Sequence, residues 1–294
     1  MIEFSPISGS QLKLSRLILG QWNINQLDNQ SLDALIKTAL EVGITTFDHA
    51  DIYGDYTCER SFGKWFRNHA QSRQSIQLIS KCGIKLLSQA RPRHQVKHYD
   101  TSKSHIISSV ENSLKGLHTD YLDLLLIHRP DPLMQPEEVA AAFDELHQAG
   151  KVLHFGVSNF TSLQFELLQK HTRQPLVTNQ IEASLFNNTP FLDGSIDYLM
   201  TKGVNPMAWS PLGGRHNVLS LLNNDAIQSM AERYETSVPN LLLTWLLKHP
   251  SYIFPVIGTM NPERVRNAVQ ALSVDIDRED WFILLETVRG YAVA

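Results

Sequence analysis

Cysteine is nearly absent from this chain. Cys58 and Cys82 are the only two in 294 residues, too few for a disulfide framework or a four-thiolate metal site, so reduced thiols are expected. Cys82 directly follows Lys81, and a neighbouring ammonium lowers a thiol pKa, which makes Cys82 the candidate for oxidation. An excess of one charge is also missing: 30 acids against 26 Lys and Arg leave a net charge of -4, no electrostatic reason for nucleic acid or an anionic membrane surface. No apolar run approaches the roughly 20 residues of a membrane span, and Met1-Ile2-Glu3-Phe4-Ser5-Pro6 has neither the basic start nor the apolar core of a signal peptide. A soluble cytoplasmic protein is expected. Low-complexity tracts are absent. The 12 histidines include no His-x-His or His-Glu-x-x-His pair, and His94 and His98, though four apart, sit in a polar basic stretch. No metal is expected. Gly20-Gln21-Trp22-Asn23, after the first strand, lacks the Gly-x-Gly-x-x-Gly spacing of a dinucleotide loop.

Present instead are eight short apolar runs, each ending at a glycine or a polar residue. They are Leu17–Leu19 before Gly20, Ile44–Phe47 before Asp48, Ile76–Ser80 before Lys81, Leu122–Ile127 before His128, Val152–Val157 before Ser158, Leu176–Thr178 before Asn179, Met207–Trp209 before Ser210, and Ile253–Ile257 before Gly258. Amphipathic stretches alternate with them: 31–40 opening with a capping Ser31, a run capped by Thr101 or Ser102, then 136–150, 161–171, 194–202, 225–234 with 238–248, and 262–272. The alternation predicts an α/β fold, a (β/α)8 TIM barrel spanning residues 1–294 as one domain. Two extended pieces, 3–5 and 11–13, predict an N-terminal hairpin at the barrel floor, and 277–288 an added C-terminal helix. Residues 83–100 carry no regular pattern. They hold Lys85, Arg91, Arg93, His94, Lys97 and His98, follow the Lys81 strand, and would overhang the mouth.

In a parallel barrel the C-terminal strand ends share one mouth, which brings Asp48, Tyr53, Lys81 and His128 together. A phenol of pKa near 10 is a weak acid at neutral pH, and an ammonium held beside it by a carboxylate lowers that pKa. The expected roles follow: Tyr53 as general acid, Lys81 tuning it, Asp48 anchoring Lys81, and His128 orienting a substrate oxygen. Each residue alone is ordinary; four at three neighbouring strand ends point to chemistry.

Phe47-Asp48-His49-Ala50-Asp51-Ile52-Tyr53-Gly54, with Glu59 and Gly63, resembles the Asp and Tyr signature of the aldo-keto reductases. Leu124–His128, Gly156–Phe160 and Trp209–Leu212 resemble that family's later motifs in the same order. The resemblance implies NADPH (NADP+) bound extended, without a glycine-rich dinucleotide fold. Ser158, Asn159 and Gln180 match the carboxamide contacts, Trp209 the ring that stacks on nicotinamide, and Ser210, Leu212, Gly213 and Gly214 the loop crossing the pyrophosphate. Thr259 and Arg264 match 2′-phosphate positions. Gly258 stands where many members have lysine, Asn267 and Ala268 where they often have Glu and Asn, so looser adenosine contacts are expected. Gly20 and Trp22 join the cofactor side, and Trp22 with Phe160 suggests a partly apolar pocket. Ending at Ala294, the sequence lacks the long C-terminal loop of many members, and a more open pocket is expected. The implied activity is reduction of aldehydes and ketones, with a small carbonyl compound as partner; the oligomeric state is left open, a monomer being one fit. Two alternatives differ in class: an NADPH-binding regulatory barrel with little turnover, and a metal-dependent barrel hydrolase, which His128 as the lone strand-end histidine disfavours.

Overall fold

The computed structural model describes residues 4–8 and 10–293. A short antiparallel hairpin, β1 (Phe4–Pro6) and β2 (Lys13–Ser15), precedes the barrel strands β3 (Ile18–Gly20), β4 (Thr46–Asp48) and β5 (Gln77–Cys82). A second small hairpin, β6 (Ile84–Lys85) with β7 (His98–Tyr99), follows. The barrel resumes with β8 (Leu122–Ile127), β9 (Val152–Ser158), β10 (Leu176–Glu182), β11 (Met207–Trp209) and β12 (Phe254–Ile257). Its eight strands are parallel, pair in chain order, and close through β12 against β3, with Val256 opposite Ile18. All eight expected runs are strands of this barrel.

Side-chain alternation explains why one strand serves both core and site. Leu124 and Leu126 point inward with Ile18, Ile79, Val177, Met207, Phe254 and Val256, and the hairpin closes this interior with Ile7, Leu12 and Leu14. The outward set, including Leu78, Leu125, Ile127, Phe155 and Val157, packs under the helices. One inward step above Ile79 and Leu126 come Lys81 and His128. The floor hairpin is observed two residues later in its second strand than expected; Glu3 and Gly9 lie outside the described residues.

Helix ends follow local capping chemistry. The first helix runs Asn29–Glu41 and is capped by Asp28, which accepts from Ser31 N–H, so the expected cap, Ser31, is itself inside the helix. Ser102 caps Lys103–Leu117, and Thr161 with Gln164 forms a capping box on Ser162–His171. The helix Cys58–Arg67 went unread in the sequence; it lies so close to Lys103–Leu117 that a Cβ on Gly63 would stand 1.9 Å from Gly116 O. The added C-terminal helix, Arg278–Arg289, docks through Trp281, whose ring stacks on Trp245 at 4.5 Å while each indole N–H donates to the other's carbonyl. No described helix is long and apolar enough to cross a membrane.

Candidate active site

Lys81 is fully buried at the end of β5. Its three ammonium protons are all used: on Asp48 Oδ2 at 2.7 Å, on the carbonyl of His49 at 2.8 Å, and on the Tyr53 hydroxyl at 3.1 Å. Asp48 ends β4, next to β5, and its Oδ1 accepts from Gln180 Nε2 at 3.0 Å. Behind the strand, Ser80 faces outward and donates to buried Glu59 at 2.6 Å, which ties the helix Cys58–Arg67 to β5 one residue before Lys81. His128 follows β8, its ring 5.9 Å from that of Tyr53, and its Nδ1 is buried without a hydrogen-bond partner among the described residues.

The electrostatics set the protonation states. Burial works against the charge of Lys81, but Asp48 and Tyr53 outweigh it and hold the ammonium above its ordinary pKa. Burial pushes Tyr53 up, Lys81 pulls it down and Asp48 raises it again, for a net rise. Lys81 acts on the phenol in the expected direction, but burial of Tyr53 outweighs the ammonium's pull, so the net shift is upward. Tyr53 is therefore a phenol at neutral pH, with a donor already on its oxygen. Burial and the nearby Lys81 and Arg129 hold His128 well below its usual range, so it is a neutral imidazole. His49 is likewise held neutral at about 3, packed edge-on against Phe62. Both thiols are buried and shifted upward, Cys82 well above its usual value, so Lys81 does not activate Cys82 as expected.

Across the mouth, Ser158 Oγ donates to Gln180 O at 2.8 Å, Asn159 Nδ2 donates to Ser158 Oγ at 2.7 Å, and Asn159 Oδ1 accepts the Trp209 indole N–H at 2.9 Å. Asn159 thus fixes the Trp209 ring, and Gln180 commits its amide nitrogen to Asp48, an arrangement not legible in sequence. From Ser210 the backbone repeatedly enters the left-handed region, at Ser210, Gly213 and Gly214, and a Cβ on Gly213 would come within 2.5 Å of the Phe186 ring. Leu212 is half-buried beside it. Gly20 pairs with Asp48 in the barrel, while Trp22 is 54% exposed and sets its indole Nε1 where a Cβ on Gly258 would lie 3.3 Å away. Thr259 is half-buried, and Arg264 and Asn267 are exposed on the helix Pro262–Ala268.

The 83–100 segment is hairpin-based rather than wholly irregular. Lys85 pairs with Asp100 at 3.0 Å, Arg91 stacks on Tyr56 at 4.5 Å, and Tyr56 Oη accepts from Leu86 N–H. Among the described residues no group of three or more His, Cys, Asp and Glu is placed to hold a metal ion. Arg129 escaped the sequence reading; the signal available was a cation directly after the strand-end histidine.

The family model "Aldo/keto reductase family" matches residues 16–288. The chain is 45% identical over 290 residues to the uncharacterized oxidoreductase YcsN of Bacillus subtilis, covering 96% of this chain and 97% of that protein. It is 44% identical over 289 residues to a 6-dehydroglucose reductase of Agrobacterium fabrum, covering 97% of each. A crystal structure of the thermostable aldo-keto reductase Tm1743, in complex with the inhibitor epalrestat, superposes with a TM-score of 0.82 at 25% identity over 98% of this chain and all of that one. Sequence, motif order and barrel thus agree: this chain belongs to the aldo/keto reductase family and is an oxidoreductase.

Proposed function

We propose that this oxidoreductase reduces aldehydes, and ketones more slowly, with NADPH. The observation that carries the reading is the buried Lys81 ammonium, shared between a carboxylate and the Tyr53 hydroxyl at a barrel mouth. An ion pair so deep is costly to maintain and is poor evidence of a stabilising role. A proton donor that needs an ammonium behind it accounts for the arrangement.

The residues fit the cofactor. Trp209 offers a ring whose orientation Asn159 fixes, the left-handed backbone at 210–214 supports close approach by phosphate, and Arg264 is an exposed cation without an ion-pair partner among the described residues. When bound, the cofactor supplies a hydride to the carbonyl carbon. Tyr53 transfers its proton to the carbonyl oxygen, and Lys81, at 3.1 Å, stabilises the negative charge that develops on the phenol oxygen. Asp48 keeps the ammonium in place, and neutral His128 donates a hydrogen bond to the same carbonyl oxygen. Ser158, Asn159 and Gln180 hold the carboxamide by exchanging part of their present network.

The relative named for 6-dehydroglucose makes a sugar-derived aldehyde a sensible first substrate, beside simple aliphatic and aromatic aldehydes. Loss of reduced-nicotinamide absorbance on adding each aldehyde is the test. Tight NADPH binding with no aldehyde-dependent oxidation would refute the reading and favour a regulatory barrel.

A further inference from the structure

Arg129 follows His128 at the end of β8, yet its guanidinium lies 5.4 Å from the ring centroid of Trp209 at the end of β11. Two strands, β9 and β10, separate β8 from β11 round the barrel, so the guanidinium sits over the mouth and not on the outer wall. The side chain is half-buried. A guanidinium carries five donors and no acceptor, and desolvated donors without partners are costly. Among the described residues, however, Arg129 has no carboxylate within ion-pair distance and no hydrogen-bond acceptor. The acid nearest in sequence, Asp131, is committed elsewhere, accepting from Thr101 Oγ1 at 2.9 Å and from Leu133 N–H at 2.8 Å. The charge of Arg129 also acts on Tyr53 and His128, the two groups proposed to meet the substrate oxygen.

These observations change where an anion would be recognised. In the hairpin segment Lys85 is neutralised by Asp100 and Arg91 donates to the Ala90 carbonyl at 3.0 Å, whereas Lys97 reaches near enough for its field to act on His128. We propose that Arg129 is a specificity-determining residue whose guanidinium receives an anionic group, a carboxylate in the simplest case, carried by the carbonyl substrate. The planar fork matches the two oxygens of a carboxylate, and the partly desolvated position strengthens the pairing relative to an exposed lysine. Lys97 adds to the attraction from the hairpin side.

The proposal rests on the reductase reading, and the two fail differently. Specificity constants are measured for 4-formylbenzoate, its neutral methyl ester, and glyceraldehyde as an uncharged polyol, in the wild type and in Arg129→Met and Arg129→Lys. The wild type should prefer the carboxylate. Arg129→Met should lower the ratio of carboxylate to ester by about 10- to 100-fold, the span of one charge-assisted pair, and Arg129→Lys should retain part of it because the charge remains and the fork is lost. A ratio unchanged by Arg129→Met overturns the proposal, as does an equal loss on all three aldehydes or a glyceraldehyde response as large as the carboxylate's. If nothing turns over, the reductase reading fails and benzoate binding decides: titration against the NADP+-loaded protein, followed by tryptophan emission, should give a dissociation constant about 10- to 100-fold higher in Arg129→Met. An equal constant there overturns the assignment.

Discussion

Replacing Lys81 by methionine separates the stability of the buried network from its chemistry. The substitution keeps most of the side-chain volume and removes three hydrogen bonds, to Asp48, the His49 carbonyl and Tyr53. Asp48 is then a carboxylate at 2% exposure with Gln180 as its remaining side-chain partner. Stranding one member of a buried ion pair costs about 3–5 kcal/mol. With an unfolding entropy of roughly 2.1 cal/mol/K per residue, 294 residues give about 0.6 kcal/mol per kelvin, so the melting temperature should fall by about 5–8 °C. Neutralising the orphan relieves the penalty. The double variant Asp48→Asn, Lys81→Met should recover at least half of the lost stability, whereas turnover, down at least about 100-fold in Lys81→Met, should not return. Thermal melts of the four proteins of the cycle, with turnover alongside, test this. An unchanged melting temperature in Lys81→Met, or a double variant less stable than the single, would refute the reasoning.

Tyr53→Phe should lower kcat by about 10²- to 10⁴-fold while leaving the NADPH dissociation constant nearly unchanged, since the hydroxyl acts on the substrate oxygen; near-normal turnover in the folded variant would remove Tyr53 from the mechanism. Arg264→Ala should weaken NADPH by roughly 10- to 100-fold and spare NADH, because a charge-assisted bond to the 2′-phosphate contributes about 1.5–3 kcal/mol; tryptophan quenching that reports equal changes for both cofactors would contradict the assignment. Asp51 gives a pH signature. Burial raises its pKa to about 7, Ser109 opposes the rise with a hydrogen bond at 2.7 Å, and Glu59 adds to it, while Asp51 Oδ1 is buried without a partner. Between about pH 4 and 7 the folded protein therefore holds a proton that the unfolded chain releases, and stability falls as pH rises, by a ceiling of ~4 kcal/mol at ~1.36 kcal/mol per unit. Asp51→Asn should raise the melting temperature relative to wild type at pH 8 and not at pH 4.5; an equal difference at both would show that Asp51 does not titrate in that window.

The barrel was written in the order of the chain. Each strand is a short apolar run that stops at a polar or glycine residue, and parallel closure requires only that all eight stop at the same end, so the meeting of Asp48, Lys81 and His128 followed from the period, while Tyr53 is delivered by the turn after β4. Local chemistry also set the capped helix at Ser102 and the box at Thr161 and Gln164. What sequence could not supply were quantities that depend on distant groups. The cap at Asp28 took precedence over Ser31 because the helix begins three residues earlier. The phenol of Tyr53 is shifted up because desolvation, a property of the packed mouth, exceeds the pull of Lys81. Gln180, matched by motif to a cofactor contact, also holds Asp48 from across the barrel. Arg129 shows the same limit: position marks it as a residue beside a histidine, but only the closed barrel swings its guanidinium over Trp209 and leaves it without an acid. Periodicity is a local property of the chain; hydrogen-bond partners and electrostatic fields are set by whatever tertiary closure brings within a few ångströms.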